Sequence, residues 1–80
     1  MTDQELIKEI DELVDEERQL HEHGVGRGLT PEEQQRLTQV EVRIDQLWDL
    51  LRRRRARRRS GGDPDEEQLR DADTVEHYQQ

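Results

Sequence analysis

Two stretches of this chain carry apolar residues at alternating spacings of three and four, and the two sets match in one antiparallel register. The first stripe is Leu6, Ile10, Leu13, position 17 and Leu20; the second is Leu37, Val40, Ile44, Leu47 and Leu51. Laid antiparallel, Leu20 meets Leu37, Glu17 meets Val40, Leu13 meets Ile44, Ile10 meets Leu47 and Leu6 meets Leu51. The residue numbers of every layer then add to 57. Spacings of three and four place each set on one helix face. Agreement of all layers with a single register is a mark of a foldable sequence. The chain therefore reads as all-α, an antiparallel two-helix hairpin of coiled-coil type.

The helix ends are marked locally. Thr2-Asp3-Gln4-Glu5 is a capping box, in which the Thr2 hydroxyl accepts from the Glu5 amide while Glu5 reaches back to the Thr2 amide. Gly24, Gly26 and Gly28 end the first helix, with Gly24 placed to act as a left-handed cap. Thr30-Pro31-Glu32-Glu33 opens the second helix with an N-cap, a proline at the first helical position and a second box. No Gly or Pro follows until Ser60-Gly61-Gly62. The helices are expected over about 3–23 and 31–59, the hairpin spanning 1–59. Residues 60–80 are expected to form an acidic, partly ordered tail, for which two readings stand equal: a short helix over 64–72 after Asp63-Pro64, or a mostly disordered segment.

Composition narrows the class. Only 28% of the 80 residues are hydrophobic and 42% are charged, too few apolar side chains for a β-sandwich or an α/β enzyme. No apolar run approaches the length that spans a bilayer, so no membrane partner is expected. No start resembling a signal peptide is present, and cysteine is absent, which fits a reducing, cytoplasmic setting.

A lone hairpin of this size is marginal, because a small core supplies only ~3–5 kcal/mol. The apolar stripes are also wider than one partner helix covers. Ile7 and Val14 lie beside the first seam, and Trp48 and Leu50 flank the second. These four are the expected partner face, through which two hairpins pair into a homodimeric four-helix bundle. The alternative is a monomer whose own tail covers that face with Leu69, Val75 and Tyr78. Glu17, at a seam position, reads as a side chain reaching solvent or pairing with Arg36 or Arg43, or else as a polar device that fixes register.

Charge is arranged in blocks. Arg52, Arg53, Arg54, Arg55, Arg57, Arg58 and Arg59 give residues 52–59 a net charge of +7 inside a chain of net −8. On a helix these guanidiniums point all round the axis. The block is expected to serve as an electrostatic docking element. Three fates fit it: a solvated or self-neutralised helix end, beside Asp3 and Glu5 and within reach of Asp63 to Glu67; a dock for an acidic protein; or a binder of nucleic-acid phosphate. The overall acidity and the lack of interleaved aromatics disfavour the last.

Nothing in the chain reads as a catalytic site. His21 and His23 are two residues apart and point to different faces of a helix. Glu17 and His21 could share an ion, but no third ligand follows from spacing. Gly24-Val25-Gly26-Arg27-Gly28 lacks the strand and the Lys-Ser/Thr of a phosphate loop. Ser60, the single serine, stands in a Gly-rich linker. The expectation is a non-catalytic interaction or adaptor module with no cofactor and no small-molecule substrate.

Four segments carry a family resemblance: Glu12 to Glu17, Leu29 to Glu33, Ile44 to Arg52 with its Trp-Asp-Leu-Leu-Arg core and the Arg-rich run after it, and Val75 to Tyr78. Together with Asp63-Pro64-Asp65-Glu66 they make the chain similar to a family of short bacterial helical proteins of unknown function, common in GC-rich Gram-positive bacteria. The resemblance implies a stand-alone helical protein and assigns no activity.

Overall fold

The computed structural model describes residues 1–78, with side chains through Glu76. Two long helices, α1 (Asp3–Gly24) and α2 (Pro31–Arg59), form an antiparallel hairpin. A 3-10 turn at Pro64–Glu66 and a seven-residue helix, α3 (Ala72–Tyr78), follow. The short tail helix expected over 64–72 thus divides: its start signal at Asp63-Pro64 yields only a 3-10 turn, and regular helix begins at Ala72. Asp71 caps that helix, accepting from the Thr74 amide.

The caps behave as their chemistry requires. Thr2 accepts from the Glu5 amide, but the Glu5 carboxylate accepts from the Thr2 hydroxyl and not from its amide, so that box is half formed; Thr30 and Glu33 exchange the two bonds of a full capping box. The first turn differs from expectation at Gly24, which is the last residue of α1 rather than a left-handed cap. Its carbonyl accepts from the Gly28 amide at 2.8 Å, closing the loop. The left-handed residues are Gly26 (φ 86°) and Gly28 (φ 77°). Gly24 serves packing instead, since a Cβ there would stand 3.1 Å from the Leu29 side chain.

The seam is the core. Leu6, Ile10, Leu37, Val40, Ile44, Leu47 and Leu51 are buried, and Leu13 and Leu20 are half-buried. Leu6, Ile10, Leu47, Leu50 and Leu51 make one continuous cluster, with Leu13 packed against it. The molecule measures 51 × 25 × 16 Å. With helices about 10 Å across, the 16 Å dimension leaves room for little more than one layer, so the hairpin keeps two broad sides.

Those sides differ. On one, Arg43 donates to Glu9 at 3.1 and 3.2 Å, and Arg36 pairs with Glu16. On this side the tail also lies against α2, running back along it. Arg57 and Arg53 hold Glu67, Arg53 donates to the Gln68 carbonyl, Gln46 donates to the Arg70 carbonyl, and Val75 is buried beyond. The other side is open among the described residues: Ile7, Val14 and Trp48 are 37, 44 and 40% exposed.

Leu50 does not belong to that open face. It is 5% exposed and part of the core cluster. Two residues are about 200° of helix rotation, so Trp48 and Leu50 point to opposite sides of the seam. The tail therefore takes part of the covering role assigned to it in the monomeric alternative, through Val75 and on the ion-paired side. Leu69 stays 39% exposed. The Tyr78 side chain lies outside the described residues.

Leu47 is fully buried, and truncating such a residue costs about 2–5 kcal/mol. In a hairpin of this size Leu47→Ala is expected to abolish cooperative unfolding in a urea titration followed by far-UV circular dichroism, whereas Leu69→Ala leaves the midpoint nearly unchanged.

Candidate functional site

The Arg block resolves into two populations. Arg54 is the unusual member: it occupies the next seam position after Leu51, facing position 3, and is 5% exposed. Its Nε donates to Asp3 Oδ1 at 2.8 Å, and its Nη1 donates to Asp65 Oδ1 at 2.9 Å and to the Pro64 carbonyl at 3.1 Å. One guanidinium thus ties the start of α1 to the end of α2 and to the tail. Arg58 takes the other Asp3 oxygen at 2.9 Å. Arg57 bonds Glu67 and Glu66, and Arg53 bonds Asp49 and Glu67. Four of the seven arginines are therefore neutralised within the chain.

The remaining three, Arg52, Arg55 and Arg59, are exposed, and no ion pair reaches them among the described residues. Their spacings of three and four continue the helical stripe that begins at Trp48. The Arg block is thus one internal latch plus one free cationic stripe at the end of the open face.

Carboxylate energetics follow the latch. Hydrogen bonds from Arg58 and Arg54 hold the Asp3 carboxyl down at about 2. Arg57 and Arg53 lower Glu67, and Arg36 lowers Glu16. Arg27 and the Thr30 amide hold Glu33 down at about 2. Glu76 goes the other way, pushed up by the Asp45 carboxyl beside it and by burial, with one oxygen buried and without a hydrogen-bond partner among the described residues.

At the opposite end of the open face, Glu17, His21 and Glu41 bring one ligand atom each within 4.8 Å of the others. Glu41 was not foreseen from spacing on one helix. It follows from the register, because the flank pair that places Val14 at the level of Trp48 also places His21 at the level of Glu41. Glu17 does not pair with Arg36 or Arg43, which are taken by Glu16 and Glu9. Three such ligands, two of them exposed, could bind a divalent ion only weakly, and the cluster is equally suited to receive a cationic side chain. His23 lies elsewhere, 3.8 Å from Glu33, and the His77 side chain is outside the described residues. A shallow hollow beside the loop, lined by His21, Gly24, Val25, Gly28, Leu29 and Gln34, is open to solvent.

No helix among the described residues is long and apolar enough to cross a membrane. A family model described as "Protein of unknown function (DUF2630)" matches residues 2–80. The chain belongs to the DUF2630 family. This DUF2630 chain is 48% identical over 78 residues to the uncharacterized protein Rv0898c of Mycobacterium tuberculosis H37Rv, covering 96% of this chain and 90% of that protein. The uncharacterized protein Mb0922c of Mycobacterium bovis matches to the same extent. No solved structure gives a significant match.

The latch makes a signed prediction for this DUF2630 protein. Asp3 is held below its ordinary value of 3.8, so its ionised form stabilises the fold. That contribution is complete above the ordinary value and is lost as pH falls toward about 2. Urea midpoints measured from pH 5 to pH 2 are expected to fall steeply in the wild type. Asp3→Asn should start lower at pH 5 and fall less.

Proposed function

We propose that this protein is a non-catalytic helical interaction module that works as a homodimer, pairing through the open face of Ile7, Val14 and Trp48. The observation that carries the reading is the placement of these three. They lie on the flank of the hairpin that, among the described residues, neither the ion pairs nor the tail covers, and each is more than a third exposed. Aromatic and branched aliphatic side chains grouped on one face are the usual anchors of protein interfaces. Pairing two hairpins through this face builds a four-helix bundle and buries the side chains that a one-layer molecule leaves in water.

The docking role of the Arg block narrows to Arg52, Arg55 and Arg59, since Arg53, Arg54, Arg57 and Arg58 already have carboxylate partners. The same count weakens the nucleic-acid alternative. Phosphate affinity grows with each cation that can release counterions, and three exposed arginines beside an acidic surface supply few.

Sedimentation equilibrium at tens of micromolar is expected to return a dimer, and Trp48→Glu a monomer with unchanged helical circular dichroism. A wild-type monomer under these conditions would overturn the reading. An electrophoretic shift assay with bulk DNA and RNA at physiological salt is expected to show no complex; binding that Arg52, Arg55 and Arg59 substitutions remove would favour the alternative.

A further inference from the structure

The open face is electrically polarised along its length. Measured along α2 from Trp48, Arg55 lies seven residues toward the C-terminus and Glu41 seven residues toward the N-terminus, each about 10 Å away at 1.5 Å per residue. Both stand on the same flank of the helix as Trp48. Arg52 and Arg59 extend the cationic end, and Glu17 joins Glu41 at the acidic end. Arg55 and Glu41 are both exposed, and neither has an ion-pair partner among the described residues.

We propose that two copies pair about a two-fold axis passing beside Trp48, with their α2 helices antiparallel, so that Arg55 of each copy meets Glu41 of the other. The inference rests on the homodimer reading and fixes its geometry. A two-fold axis perpendicular to the helices exchanges positions equidistant from the centre, and Arg55 and Glu41 are equidistant from Trp48. The contact occurs twice, because the interface is isologous. An axis parallel to the helices would instead set the Arg52, Arg55 and Arg59 stripes side by side, and the Glu17 and Glu41 carboxylates likewise. Like charges so juxtaposed disfavour that arrangement. In the antiparallel pairing the guanidinium of Arg55 enters the Glu17–His21–Glu41 cluster of the second copy and supplies the cation that the cluster lacks in one chain. Arg52 falls near the level of Asp45 of the second copy, whose carboxyl already crowds Glu76. The apolar centre gives adhesion, and the charged ends give orientation.

The test uses charge reversal in the full-length chain. Arg55→Glu and Glu41→Arg each create two repulsive contacts per dimer, and each is expected to weaken self-association at least about tenfold by sedimentation. Mixed in equal amounts, the two variants regain both attractive contacts. Native mass spectrometry of the mixture, with one variant isotopically labelled, is then expected to show heterodimer in large excess over either homodimer. The double variant in one chain should recover wild-type association. Both substituted positions are exposed, so circular dichroism should be unchanged for all three. A monomeric wild type would overturn the homodimer reading itself. A dimeric wild type whose reversal variants associate normally, or whose mixture gives only statistical heterodimer, would retain the dimer and overturn this orientation. Capture of an acidic peptide by the open face of a monomeric wild type would likewise overturn it, and would assign the face to a different occupant.

Discussion

Arg54 stands where a leucine would continue the seam, and the arrangement of the whole molecule turns on that substitution. A buried guanidinium must be paired, since desolvating an unpaired charge is costly whereas burying the methyl groups of a leucine is favourable. Here the pairing is met by Asp3 from the first turn of α1 and by Asp65 and the Pro64 carbonyl from the tail. One guanidinium thus joins the start of α1, the end of α2 and the chain after Gly62. Arg58 and Arg57 reinforce it from the neighbouring turn. The last carbonyls of α2 also face an Arg-rich end, which complements the helix dipole.

This junction gives the net charge a different meaning. A value of −8 suggests a chain repelling itself. The distribution instead joins acidic segments at both ends of the chain to a basic segment two-thirds of the way along. The segments annul each other where they meet, and the three arginines left without an ion pair among the described residues, Arg52, Arg55 and Arg59, lie on one face. That face carries apolar side chains at its centre, arginines at one end and carboxylates at the other.

The hairpin was legible because layer pairing is a long-range consistency test that a short sequence can pass or fail outright. The same register, extended one layer, puts Asp3 opposite Arg54, and shifted to the flanks it gives Glu9 with Arg43, Glu16 with Arg36 and His21 with Glu41. Those pairs were readable in principle. They were obscured because a run of arginines looks uniform, and only depth in the seam separates Arg54 from Arg55. Leu50 shows the limit of adjacency as a guide: a residue near the seam is buried or open according to the side on which it falls, and the side is decided by the angle between positions 48 and 50. The tail was least legible, because its path along α2 is set by side chains reaching main-chain carbonyls at Pro64, Gln68 and Arg70, and backbone acceptors have no signature in sequence.

The tail is fastened by ion pairs and carbonyl contacts, with Val75 as its buried apolar residue, whereas the hairpin is fastened by leucine layers. Dissolved ions act oppositely on these two kinds of contact. They screen charges over a distance that shrinks to roughly 3 Å at 1 M, about the separation in these ion pairs, and strongly hydrated salts such as sulfate strengthen apolar burial. Raising sulfate toward molar concentration should therefore loosen the ion-paired stretch 64–70 while tightening the leucine layers of the hairpin. The two kinds of contact are tuned by one solvent variable in opposite senses, so the extent to which the cationic end is covered is a function of the ionic medium.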